Sequence, residues 1–421
     1  MQRPLSDSSS DHNATRGGTR GFATLAAVAF LCVALLCCNA CTHHAPSACS
    51  AHAPSACSTI EAEAAALGAT LSLCVLPLDD AFAAPSTELH AQTLLTPAST
   101  MKLLVAAAAL RAAPPQACLR TELRWLNDLP LCDALVLVGG GDALLTAADL
   151  QTLAASAAKV LRRQPRTLQA DVAHFSGAPW GRGWMWDDGL DALRVSALRL
   201  HDDVSPDPTR AALDACAAHL ASAGIAPLEI LPTLVNATGA VVAHFERPLD
   251  TALRAMLERS DNMVAECVLR QLPCWAGASS GDAEQGLQMV RDELRRCGAN
   301  ADALVLADGS GLSRYNLVNA AAITRLLWTH ERESPGRLRG FLPRSAASGT
   351  LKNRFVSSSA VGRVQAKTGS MQGVTTLAGY LTAVCGRDFA FFASVQHSPA
   401  PAAALRAVLD KAVLALVEER F

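Results

Sequence analysis

Three short runs place reactive side chains at fixed spacings: Ser99-Thr100-Met101-Lys102, Ser260-Asp261-Asn262 and Lys367-Thr368-Gly369. In the first, a hydroxyl and an amine stand three residues apart, so on a helix they share one face, a turn from each other. A lysine kept out of water near a second cation loses its proton near neutral pH, and can then act as general base on a serine nucleophile. Lys367 supplies that second cation and also draws in a substrate carboxylate. Thr368 adds a hydroxyl for the same carboxylate, and Gly369 lets backbone approach substrate closely. Backbone N–H groups of Ser99 and Ser370 would form an oxyanion hole. Ser260 can relay a proton to a leaving amine, and the Asn262 amide can hold a peptide carbonyl. The set suits acyl transfer through a serine ester.

Each run alone has an unreactive reading: Ser99 as a helix N-cap, Lys102 as a solvated side chain, 260–262 as a surface turn and 367–369 as a hairpin. The elements decide between the two. Pro97 fits the first turn of a helix, 101–112 is a strong helix former, and Pro114-Pro115 stops it. The pattern predicts a strand at 71–76 and one long helix over 249–272 with Ser260-Asp261-Asn262 near its middle. It predicts three antiparallel strands at 361–367, 375–384 and 389–395, and a closing amphipathic helix at 402–419. Strands at both ends with helices between imply an α+β fold whose sheet is assembled from N- and C-terminal segments. Residues 117–138 read as strand, 208–224 as an alanine-rich helix, and Gly139-Gly140-Gly141-Asp142 as a turn, since no phosphate-loop lysine follows.

Three ordered motifs on helix, helix and strand resemble the active-site set of penicillin-binding proteins and serine β-lactamases. Further segments narrow the resemblance: Pro97-Ala98-Ser99, SDNMVAE at 260–266, DGSGLSRYNLV at 308–318, GTLKNR at 349–354 and KTGSMQGV at 367–374. From about residue 71 to the C-terminus, the chain resembles the low-molecular-mass penicillin-binding proteins of the D-alanyl-D-alanine carboxypeptidase/endopeptidase type, peptidase family S13. The resemblance implies the penicillin-binding-protein transpeptidase fold with one inserted smaller domain. It implies catalytic roles for Ser99, Lys102, Ser260, Asn262 and Lys367, and substrate binding by Thr368, Gly369 and Ser370. Such proteins carry insertions between the first two motifs, here 161 positions apart. The expected organisation is a catalytic domain of 61–112 and 206–421 with an insertion at 113–205. Trp184-Met185-Trp186-Asp187-Asp188 resembles the family's tryptophan-rich loop, which makes Asp188 the candidate for receiving a cationic stem-peptide side chain. Ser348 stands where an aspartate often precedes the GTL segment, and His201-Asp202-Asp203 replaces an asparagine-containing turn; both bear on substrate preference. The implied partners are peptidoglycan stem peptides and cross-links, with β-lactams as inhibitors and no cofactor or metal. A serine β-lactamase and a catalytically silent cell-wall-binding lipoprotein are the competing readings.

Composition sets outer bounds. The chain has 421 residues, 50% apolar and 18% charged, with mean hydropathy +0.21. One segment, 22–40, approaches spanning length without a charge, so a polytopic membrane protein is excluded. Lys and Arg number 36 against 38 Asp and Glu, a net charge of −2, which lacks the basic field that nucleic acid requires. Arg16 and Arg20 precede an apolar core at 25–38, and Cys38-Asn39-Ala40 puts small residues at the two positions a signal peptidase reads, the layout of a signal peptide over 1–40. Cys41 directly after it suggests lipidation, so the expected location is exported and periplasmic, with membrane contact through the signal or lipid anchor alone. Two copies of His-Ala-Pro-Ser-Ala-Cys-Ser follow, and 41–60 reads as a low-complexity tether rather than a metal site. Of the 14 cysteines, eight lie in the body beyond position 60. Pairing of Cys118 with Cys132, and of Cys267 or Cys274 with Cys297, is expected in an oxidising compartment.

Overall fold

The structure is a computed structural model. It describes residues 56–79, 84–126, 133–226, 229–231 and 237–420. The signal segment, Cys41, most of the tether and Cys132 lie outside the described residues.

The described chain enters through α1 (Ala56–Ala66), β1 (Thr70–Pro77) and the short β2 (Thr87–Leu89). A single 3-10 turn, Ala98–Thr100, runs directly into α2 (Met101–Ala112). There follow β3 (Cys118–Leu126), β4 (Ala134–Val138), α3 (Ala147–Val160), β5 (Thr167–Asp171), α4 (Pro208–Ser222), β6 (Glu229–Ile230) and β7 (Ala240–Pro248). Four helices come next: α5 (Leu249–Glu258), α6 (Asn262–Trp275), α7 (Ala283–Arg296) and α8 (Ala320–Glu333). The chain closes with β8 (Val364–Met371), β9 (Val374–Thr382), β10 (Asp388–Gln396) and α9 (Ala402–Val417).

The main sheet runs β2-β1-β10-β9-β8, antiparallel throughout, so N- and C-terminal segments do share it. Both of its faces are covered, and strand alternation decides what each residue meets. Leu71, Leu73, Val75, Val364, Ala366, Phe389 and Phe391 enter an apolar cluster with α9. Cys74, Ala378, Tyr380, Ala390 and Phe392 enter the opposite cluster, with α2, α5, α6 and α8. Lys367 and Gly369, odd-numbered like Gln365, therefore lie on the face away from α9. Helix α2 sits centrally in that second cluster, buried at every position from Met101 to Ala109. An alanine-rich helix with no polar stripe is the kind that can be enclosed on all sides.

A second sheet runs β6-β5-β4-β3-β7, parallel across β4-β5-β6 and antiparallel elsewhere. Its core is separate and takes in Leu150 and Leu153 of α3 with Leu213, Cys216 and Leu220 of α4. The pattern-based boundary at 205 falls short of this. Helix α4 packs on α3, and β7 pairs with β3, so the inserted layer continues to Pro248 before the chain re-enters the main core through α5. The described residues nonetheless form one compact unit.

Two further expectations are corrected. The 249–272 helix is two helices, broken at 259–261, because Ser260 takes a left-handed conformation (φ 66°) and Asp261 caps α6 by accepting from the Val264 N–H (3.0 Å). Helix α1 begins at Ala56, inside the segment read as tether, because Ile60 and Ala64 are buried in the α9 cluster. The expected bridge from Cys267 or Cys274 to Cys297 does not form; all three thiols are free. They face different neighbours: Ser196 O, His174 O and Glu293 respectively.

Candidate active site

The turn before α2 presents Ser99. Ala98, just ahead of it, has φ 46°, a left-handed conformation that costs an alanine roughly 1–2 kcal/mol. The surroundings enforce it. Thr100 Oγ1 and Thr376 Oγ1 both donate to Pro97 O (2.7 and 3.0 Å). Two glycines then pack on the turn: a Cβ at Gly311 would lie 1.9 Å from Ala98 O, and one at Gly369 would lie 2.1 Å from Thr376 Oγ1. Only a residue without a side chain lets the 308–316 loop and β8 come this close.

Lys102 is fully buried. Its Nζ donates to Ser99 Oγ (2.9 Å), Asn262 Oδ1 (2.7 Å) and Ser310 O (2.6 Å). Lys367, also fully buried, donates to Ser260 Oγ (2.8 Å) and Thr368 O (2.7 Å). Thr368 Oγ1 donates to Thr350 Oγ1 of the GTLKNR segment (2.9 Å). The structure thus gathers motifs from three elements into two neighbouring pairs, Ser99 with Lys102 and Ser260 with Lys367. Asn262 bridges toward the first.

Burial lowers the Lys102 pKa to about 8, against the opposing pull of Asp308, Glu266, Asp261 and Asp191. Burial also brings Lys367 well below the usual lysine range, and the positive charge of Lys102 pushes it down further. Desolvation, more than a second cation, is what readies Lys102 to give up a proton.

Asp188 stands apart from this centre. Its Oδ2 accepts from the Met185 N–H (2.7 Å) of its own loop. The loop's contact with the motifs is made instead by Asp191, whose Oδ1 accepts from Asn262 Nδ2 (3.3 Å). A second layer was equally unassigned by sequence. Trp184 Nε1 donates to the buried Asp308 (2.8 Å), and Arg270 joins Glu266 (3.0 Å) to Ala178 O (3.1 Å). Glu266 and Arg270, four apart on a helix, look in sequence like an exposed ion pair; both are buried.

Among the described residues, Glu293, Cys297 and His330 bring metal-ligand atoms within 4.8 Å of one another. Arg296, however, donates to both Glu293 oxygens (2.9 and 2.7 Å), and His330 Nε2 lies 2.7 Å from the same carboxylate. A guanidinium at that position opposes a metal cation, and the cluster joins α7 to α8 as a hydrogen-bonded clasp.

The model of the D-Ala-D-Ala carboxypeptidase 3 (S13) family matches residues 58–194 and 203–415, covering all three motifs. The chain belongs to this S13 family. It is a serine-type D-Ala-D-Ala carboxypeptidase of the low-molecular-mass penicillin-binding class. Carboxypeptidase DacB of Mycolicibacterium smegmatis is 31% identical over 334 residues, 72% of each chain. A carboxypeptidase of Mycobacterium tuberculosis is 30% identical over 349 residues, 75% of each. Among solved structures, penicillin binding protein 4 from Haemophilus influenzae superposes with a TM-score of 0.74 at 21% identity, over 84% of this chain and 99% of that one. A predatory peptidoglycan endopeptidase from Bdellovibrio bacteriovorus gives 0.58 at 14% identity, over 83% and 92%. The S13 match passes over 195–202, which contains the His201 departure.

Proposed function

We propose that this S13 peptidase cleaves D-alanyl bonds of peptidoglycan stem peptides, in carboxypeptidase and endopeptidase modes, through an acyl-enzyme on Ser99. The observation that carries the reading is the buried Lys102 amine on Ser99 Oγ. Once neutral, Lys102 takes the Ser99 proton as Oγ bonds to the carbonyl carbon of the penultimate D-alanine. Backbone N–H groups of Ser99 and Ser370 hold the developing oxyanion. Ser260, paired with Lys367, passes a proton to the leaving amine as the peptide bond breaks. Water then hydrolyses the ester. Lys367 and Thr368 receive the substrate's terminal carboxylate, Gly369 gives the strand room beside it, and the Asn262 amide exchanges Asp191 for a substrate carbonyl. Asp188 on the half-exposed loop is assigned to a cationic group of the stem peptide.

β-Lactams present a strained amide to the same serine and would leave a slowly hydrolysed ester. A homologous fold supports this: the Bdellovibrio endopeptidase has been seen acylated by penicillin G. The N-terminal signal pattern supports export to the periplasm, with lipidation at Cys41 as an anchor. No helix among the described residues is long and apolar enough to cross a membrane.

Digestion of purified pentapeptide and cross-linked muropeptides by the mature protein, with mass analysis, tests the reading. Loss of one D-alanine marks the carboxypeptidase mode, and conversion of dimers to monomers the endopeptidase mode. Unchanged muropeptides of both kinds would overturn it.

A further inference from the structure

Behind the Ser99–Lys102 pair lies a carboxylate that the steps above do not use. Glu266 is fully buried, one turn after Asn262 on α6. Its Oε1 accepts from the Gly309 and Ser310 N–H groups (2.9 and 2.8 Å), and its Oε2 from Arg270 Nη1 (3.0 Å). A carboxylate is tolerated in such a place only when its oxygens are this well paired. What it fixes are the two backbone N–H groups leading into Ser310, the residue whose carbonyl accepts from Lys102 Nζ at 2.6 Å. Asn262 Oδ1 takes a second proton of the same amine at 2.7 Å. One helix therefore aims Lys102 twice, directly through Asn262 and indirectly through Glu266 and the backbone of residues 309–310. With two N–H directions held, the third falls on Ser99.

We propose that Glu266 is a positioning residue for acyl transfer, holding the Ser310 carbonyl that orients Lys102 toward Ser99. The assignment rests on Ser99 as nucleophile and Lys102 as base. Its charge has a second consequence, because an anion behind Lys102 favours the protonated amine. The other charged groups facing Lys102 are Asp308 in the loop, Asp261 at the α6 cap and Asp191 in the tryptophan-rich loop, with Lys367 on β8. Of these, Asp308 also faces Glu266, and burial together with the Asp308 charge raises the Glu266 pKa against the pull of Arg270.

Glu266→Gln keeps the shape and removes the charge. It cannot serve both sides, since its amide must turn an NH₂ either to Arg270 or to the two backbone N–H groups. Glu266→Asp keeps the charge but shortens the reach to Gly309 and Ser310. The measurement is the acylation rate constant of Ser99 with benzylpenicillin across pH, separated from initial binding, on protein verified as folded. In both variants the rate constant should fall at least about tenfold with binding little changed. In Glu266→Gln alone, the rising limb should also move about half a unit or more to lower pH. Native rates with superimposable profiles in both variants would overturn the assignment. So would failure of both to fold, which would make Glu266 a folding residue only. If the native protein is itself not acylated at Ser99, the reading of the site fails instead, which is a separate outcome.

Discussion

An ammonium with three acceptors in reach spends all of its protons on them, and Lys102 in that state donates to Ser99 rather than accepting from it. Only the neutral amine is a base. With its pKa lowered to about 8 by burial, about one molecule in ten is in that form at pH 7. Acylation by a β-lactam should therefore rise close to tenfold per pH unit below about 8 and level off above it. A stopped-flow profile that is flat from pH 6 to 8 would contradict the assignment of Lys102. Spacing alone made Ser99 and Lys102 legible, because three residues on a helix fix two side chains to one face. Glu266, Asp308 and Asp191 were illegible for a shared reason. A carboxylate's chemistry depends on burial and on which loop lies against it, and neither is local to its sequence.

At the scale of elements, β8 was readable because alternation has one solution once one face is apolar. Val364 and Ala366 point to α9, which leaves Lys367 and Gly369 for the site. The break at Ser260 went unread although Ser260, Asp261 and Asn262 favour helix caps over helix interiors, and Asp261 does cap α6. Helix α4 was assigned to the wrong layer because an apolar stripe says that a helix packs, not against what. The α7–α8 clasp shows what such packing adds. Burial would raise the Glu293 pKa, but hydrogen bonds from His330 and Arg296 outweigh it and bring the value down to about 2. A lowered carboxylate stabilises the fold above its unfolded pKa near 4.5 and loses that contribution as pH falls toward 2, at most about 3 kcal/mol. Thermal midpoints taken from pH 5 to pH 2 should thus fall more steeply for the native protein than for Glu293→Gln. Parallel curves would show that the clasp adds no pH-dependent stability.

Over the whole molecule, the two sheets meet the chemistry differently. The main sheet, α2 and the turn before it carry the proposed nucleophile, base and second cation on surfaces that are covered on both sides, so these groups are held by a packed core. The second sheet lies between the first two motifs in sequence, and the segment inserted with it reaches the site through Trp184 on Asp308, Asp191 on Asn262 and His201 beside Asp261. The central claim is the covalent one, that Ser99 is the acylated atom's residue. Intact-protein mass spectrometry after exposure to benzylpenicillin tests it most directly. The expected result is a single adduct of the drug's mass that maps to Ser99 and is absent from Ser99→Ala. No adduct on the native protein, or one that persists in Ser99→Ala, would contradict it.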